Sequence, residues 1–156
     1  MDVSYVNAIV QGAQRVFKSV CNETPSLGKV SVKTHPYTVS PVSVSIGLIG
    51  AFEGEIVYNM DESAGCFFAS RLMMGMPVDA LDDMAKSALS ELANIISGNV
   101  ATVFSGKKIL IDIKPPKIRL GATAADFPNV VKVPKIVCVP LHFANGSVFE
   151  IHVAIP

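Results

Sequence analysis

Residues 79–104, DALDDMAKSALSELANIISGNVATVF, carry the longest amphipathic pattern in the chain, and their reading decides the rest. At 3.6 residues per turn, Leu81, Met84, Ala85, Ala88, Leu89, Leu92, Ile95, Ile96, Val100 and Val103 fall on one broad apolar stripe. That stripe is the expected core face of a helix running from about Asp79 to Phe104. On the other side lie Ser87, Glu91, Asn94, Gly98 and Ala101, stacked by three- and four-residue steps. A carboxylate and a carboxamide thus stand one turn apart, with Cβ atoms roughly 5–6 Å from each other. Gly98 inside a helix costs roughly 1 kcal/mol relative to Ala, so it is expected to admit another backbone at close range. Ser, Glu and Asn also line ordinary solvated helix faces, and the Glu-x-x-Asn spacing by itself does not separate the two readings.

The remaining chain supports one domain, residues 1–156, long enough to bury about two-thirds of its unfolded surface. Hydrophobic residues make up 50% of it, and 13 basic side chains balance 13 acidic ones without forming a basic stripe. Such a chain has no field for nucleic acid. The start, Met-Asp, has no basic leader pattern, and the apolar run from Val42 to Phe52 is broken by Ser and Gly and too short for a bilayer. No membrane insertion and a cytoplasmic location are expected. Cys21, Cys66 and Cys138 are far apart and lack metal-ligand spacing, so buried reduced thiols and no metal are expected. A Cys/His nucleophile pair would have to meet in space, since His35, His142 and His152 are scattered.

In chain order, a first helix runs from about Val3 to Val20, with Val6, Ile9, Val10, Ala13, Val16 and Phe17 on its apolar face. Alternation predicts strands at 29–35, 42–49 and 55–60, the last two joined through the turn at 50–54. Asp61 caps a short helix that ends near Gly75 and is closed by Pro77. Asp79 opens the long helix, with Asp82 and Asp83 in its first turn, and Gly106 ends it. Ile109, Ile111 and Ile113 alternate until Pro115-Pro116 halts the strand, and 121–129 reads as loop. Strands at 135–143 and 147–155 flank Asn145-Gly146, a hairpin turn signal, and Pro140 implies an edge or a bulge. The cluster Met73, Met74 and Met76 reads as core filling, with a small-molecule pocket as the other use. The expected fold class is α+β, an antiparallel sheet packed by helices.

Asn7 to Phe17 (NAIVQGAQRVF) also lies without gaps on Asn94 to Phe104 (NIISGNVATVF). A worn internal duplication is expected, with halves at about 1–78 and 79–156. In that register Ser4 stands where Glu91 stands, and Asn7 where Asn94 stands. Only the second helix then holds the complete pair.

The run Ser87-x-x-x-Glu91-x-x-Asn94, the proline pair about twenty residues on, the hairpin from Gly47 to Gly54 and the Met-rich 72–76 together resemble the chemotaxis phosphatase family of CheC, CheX and FliY. The likeness runs over nearly the whole length and is greatest to the CheX branch, which has one complete site and a degenerate counterpart. The resemblance implies helices against an antiparallel sheet and dephosphorylation of a phosphorylated CheY-type response regulator. It further implies a homodimer, Glu91 and Asn94 as the functional pair, and Ser87 at an upstream position that takes Asp or Ser. No cofactor of its own is implied; Mg2+ belongs to the receiver. On this reading Asn94 orients the attacking water, Glu91 contacts the receiver's active-site lysine, and Ser87, Gly98 and Ala101 let the helix lie close. The alternative is a non-catalytic docking or dimerisation module on the same scaffold.

Overall fold

The computed structural model describes residues 3–156; Met1 and Asp2, the start of the expected 1–156 domain, lie outside the described residues. The elements are α1 (Val3–Cys21), β1 (Ser26–Leu27), β2 (Ser31–Lys33), β3 (Val42–Gly50), β4 (Gly54–Met60), α2 (Glu62–Leu72) and α3 (Asp83–Gly106). They continue with β5 (Ile111–Ile113), β6 (Lys117–Leu120), a 3₁₀ turn (Ala124–Asp126), α4 (Pro128–Val131), β7 (Ile136–His142) and β8 (Val148–Ala154). All pairings are antiparallel, and the fold is the expected α+β arrangement.

The sheet order is β1-β7-β8-β4-β3-β5, with β2 also on β7 and β6 also on β3. The two predicted hairpins, β3–β4 and β7–β8, therefore lie side by side, joined by β4 against β8, with Val57 opposite His152. Each hairpin's outer strand takes its edge partner from the other end of the chain: β1 and β2 flank β7, while β5 and β6 flank β3.

Period-two alternation sorts the central strands into two buried faces. Val42, Val44, Ile46, Leu48, Ile56, Tyr58, Ile151 and Val153 turn toward α1, α2 and α3 and join the main core. Phe17, Phe68, Phe143 and Phe149 form its aromatic centre, with ring centroids 4.8–5.7 Å apart in the pairs that touch. On the opposite face, Val57, Ile136 and Ala154 meet Tyr37, Phe127 and Val130, so the stretch read as loop is a 3₁₀ turn and α4 covering the sheet. A four-residue helix carries no amphipathic repeat long enough to show in sequence.

The long helix starts later than its periodicity suggested. Asp82, extended at φ −75°, ψ −177°, is the N-cap, and its carboxylate accepts from the Ala85 N–H at 2.9 Å. Asp79 is therefore outside the helix, in the connection after α2. At the other end Gly106 is still helical, and the left-handed residue is Lys108, at φ 62°. The N–H groups of Lys108 and Ile109 return to Ser105 and Phe104, closing the helix in the Schellman pattern. The core face is also rotated from the expected stripe. Ala93, Ser97 and Phe104 are buried, whereas Met84 is 60% exposed. Ser97 could not be read as core from its chemistry; its hydroxyl is satisfied by Tyr58 Oη at 2.8 Å.

Met74 is 96% exposed and Met76 53%, so of the methionine cluster Met73 alone packs against the core and the other two lie at the surface. Met74 occupies the left-handed position, φ 61°, that ends α2, and this turn points its side chain away from the core. No helix among the described residues is long and apolar enough to cross a membrane.

Candidate functional site on α3 and the bulged edge

Ser87, Glu91 and Asn94 share the outward face of α3, whose opposite face buries Leu89, Leu92, Ile96 and Val100. Glu91 is exposed and Asn94 half-buried. The helix does not present them to open solvent alone. A groove of about 440 Å3 is lined on one side by Ser87, Ser90, Glu91 and Asn94, and on the other by Ile113, Lys114, Pro115 and Pro116.

The second wall follows from proline chemistry at a sheet edge. β5 pairs with β3 as far as Ile113 opposite Leu48, and the Lys114 N–H still donates to the Gly47 carbonyl at 2.8 Å. Pairing resumes at Lys117 opposite Ser45. Between those registers Lys114, Pro115 and Pro116 face only Ile46 and Gly47, so the edge strand carries one extra residue, a bulge. Prolines lack the N–H that ladder pairing needs, and such a jog on an edge tolerates them. The prolines thus interrupt the strand rather than end it, and β6, unread in the sequence, is its continuation. The Lys114 side chain lies over Gly47, where a built Cβ would stand 2.8 Å from Lys114 Cδ.

Within the chain the polar side chains of the groove are unused. Asn99 donates to the Ile95 carbonyl at 3.2 Å and Thr102 to that of Gly98 at 3.0 Å, the usual local bonds of polar residues in helices. Among the described residues, Ser87, Ser90, Glu91 and Asn94 make no such side-chain bond. Gly98 and Ala101 continue the same face beyond the groove, half-buried. Nothing in the chain lies within 4 Å of a Cβ built at Gly98, so the close backbone approach expected there does not occur within the chain. That approach occurs at Gly12 of α1, where a Cβ would meet the Val100 backbone N at 3.2 Å.

Sequence reading missed Ser90 and Lys114. Ser90 precedes Asn94 by four residues, a spacing that places both on one side of a helix; Lys114 enters only through the bulge.

A second polar constellation sits on the other sheet face. Cys138 and His152 are cross-strand neighbours, and with Glu150 their ligand atoms lie within 4.8 Å of one another. The Asn59 amide, oriented by the Val57 carbonyl and the Ser40 N–H, donates to His152 Nδ1 at 3.1 Å, beside Tyr37 Oη at 2.6 Å. The imidazole proton is therefore on Nε2, aimed at Glu150 Oε1 at 2.8 Å, where the Cys138 thiol also donates. This carboxylate, held down to a pKa of about 2 first by the His152 bond, also faces Lys33 Nζ at 3.9 Å. A cation at Nε2 would require that proton to move to Nδ1, which already accepts the Asn59 amide, so the trio fits hydrogen-bond closure better than a ligand set.

The Cys/His pair considered from sequence does meet here. Burial pushes the Cys138 thiol up to about 12 and lowers the imidazole, the reverse of what a thiolate–imidazolium nucleophile needs. Burial likewise raises Cys21, to about 11. The three thiols are free, as expected, with Cys66 only half-buried.

Comparison with known proteins places this chain in a family. The family described as Chemotaxis phosphatase CheX matches residues 42–138. A relative from Thermotoga maritima, named CheY-P phosphatase CheX, is 26% identical over 155 residues, covering 99% of this chain and 97% of its own. Among solved structures, a CheX–CheY–BeF3–Mg2+ complex from Borrelia burgdorferi matches with a TM-score of 0.80 and 30% identity, covering 97% of each chain. A chemotaxis protein CheX from Desulfovibrio desulfuricans matches in fold at a TM-score of 0.83 and 18% identity, covering 98% of this chain and 99% of its own.

Proposed function

The chain belongs to the CheX family of chemotaxis phosphatases, and from that premise we propose that it hydrolyses the phosphoaspartate of a CheY-type response regulator, with Asn94 and Glu91 as its working side chains. The observation that carries the reading is the groove, in which a carboxamide and a carboxylate one helical turn apart stand unpartnered. The relative captured with CheY, BeF3 and Mg2+ supports the choice of partner and of a divalent ion supplied by it.

Phosphoaspartate hydrolysis is mostly a matter of positioning. Water attacks phosphorus, the bond from phosphorus to the aspartyl oxygen breaks, and its electron pair stays on the aspartate carboxylate. Both water hydrogens finish on the released phosphate, as H2PO4−. A carboxamide has no useful basicity, so Asn94 takes no proton; it donates to or accepts from the water and holds it in line. Glu91 reaches the receiver's active-site lysine, a charge-assisted contact that strengthens as the interface excludes water. Ser87, Gly98 and Ala101 are small enough to let the receiver close on α3. The protein contributes no cofactor, and a cytoplasmic location follows from such a substrate.

The test is the decay of a phosphorylated CheY-type receiver in Mg2+ with wild type, Asn94→Ala and Glu91→Ala. Asn94→Ala is expected to lose hydrolysis while still binding the receiver; Glu91→Ala is expected to weaken binding as well. Wild-type activity in Asn94→Ala would overturn the mechanism, and tight binding without hydrolysis by the wild type would favour a docking module.

Pairing of two copies is proposed for the opposite end of the sheet. There β1 and β2 are paired only on their β7 side, and Leu27, Val30 and Val32 are 47%, 41% and 57% exposed. Unpaired apolar edges invite strand addition. Val32→Arg is expected to convert a dimer to monomer in sedimentation; a wild-type monomer at high concentration would remove the idea.

A further inference from the structure

Orienting a water for in-line attack needs more than one contact. A single hydrogen bond leaves the molecule free to rotate about it, so its lone pair sweeps a cone instead of pointing at phosphorus. A second acceptor removes that rotation. Of the groove's side chains, Ser90 is the one that stands one i,i+4 step before Asn94, and it lines the same groove as Pro115 and Pro116. It is half-buried. Its hydroxyl is also uncommitted. Thr102, farther along the helix, gives its hydroxyl to the carbonyl four residues back, while Ser90 makes no such bond among the described residues.

We propose that Ser90 is a further catalytic residue of the hydrolysis, its Oγ accepting the second hydrogen of the water that Asn94 holds. This rests on the phosphatase reading of the groove. The hydroxyl neither gains nor loses a proton: the water oxygen bonds to phosphorus, the aspartate carboxylate leaves with the electron pair, and both hydrogens finish on H2PO4−. The bulge contributes by walling the water in, since neither Pro115 nor Pro116 has an N–H to compete for it.

The role separates from that of Glu91 by what it moves. A contact that acts only on the attacking water lowers kcat and leaves KM unchanged. The experiment is phosphate release from a CheY-type receiver over a range of receiver concentrations, with wild type, Ser90→Ala, Asn94→Ala and Thr102→Ala. Ser90→Ala is expected to lower kcat about tenfold at unchanged KM and unchanged thermal midpoint. Thr102→Ala is expected to match wild type. Wild-type kcat in Ser90→Ala, or a raised KM at unchanged kcat, overturns the role of Ser90 while loss of activity in Asn94→Ala keeps the phosphatase reading intact. Full activity in Asn94→Ala, or none in the wild type, overturns both.

Discussion

α1 and α3 pack against each other on one sheet face, and their aligned segments carry asparagines at matching places, yet it is the asparagine of α3 that borders a groove together with a carboxylate. The difference begins in length. Glu91 and Asn94 sit well inside a 24-residue helix, more than two turns after its Asp82 cap, so their backbone is held by complete hydrogen bonding on both sides. Ser4 and Asn7 lie in the first two turns of α1, and the Ser4 carbonyl is met by Lys107 Nζ at 3.5 Å. The two helices also use glycine in opposite ways. Gly12 is where α1 lets α3 approach; Gly98 faces nothing in the chain. A shared scaffold thus sets where a helix lies, and the side chains and neighbouring edge decide what its outer face can do.

The contrast breaks most directly at the two asparagines. Asn94→Ala is expected to lower receiver dephosphorylation by about 100-fold or more, while Asn7→Ala leaves it unchanged. Equal losses from both, in the same phosphate-release assay, would mean that α1 is a second working helix. The glycines give the next largest effect. Gly12→Ala forces a Cβ against the Val100 backbone and is expected to destabilise by about 1–3 kcal/mol in urea unfolding. Gly98→Ala, in open helix, is expected to stabilise by about 0.5–1 kcal/mol while raising KM for the receiver. Stabilisation with no change in KM would show that the receiver does not come close there.

The smallest effect concerns acid. Burial lowers the His152 pKa below its usual 6.5, so unfolding takes up a proton there and the associated stability is lost as pH falls below 6.5. Glu150 falls from 4.5 to about 2, first through its bond from His152, so its contribution is full above 4.5 and disappears as pH drops toward 2. A thermal midpoint that begins to fall below pH 6.5 and steepens below 4.5 is expected, with the first limb absent in His152→Gln. An unchanged first limb in that variant would assign it to another group.

Much of this molecule was legible because its signals are local. Alternation and turn residues marked β3–β4 and β7–β8, and Asp61 marked the start of α2, whose Ala64 N–H it accepts at 2.7 Å. Errors arose where local signals were ambiguous or outvoted. Asp79 reads as opening the long helix, with Asp82 and Asp83 in its first turn, whereas the cap is Asp82, whose carboxylate takes the Ala85 N–H. Ser97 reads as surface by composition, and its place in the core depends on Tyr58 arriving from another strand. Lys117–Leu120 is too short to declare itself and pairs only because β3 offers an edge.

By itself, the sequence determined the α+β class and the stacking of Ser87, Glu91 and Asn94 on one helix face, since helical and strand periods are properties of neighbouring residues. Only the tertiary structure decided that those side chains border a groove. Its other wall is a proline bulge on the edge of β3, twenty residues away along the chain, brought there by hydrogen bonds to a strand from the first half of the sequence. Periodicity carries no information about such pairings, because they are set by which buried faces and open edges are left to satisfy one another.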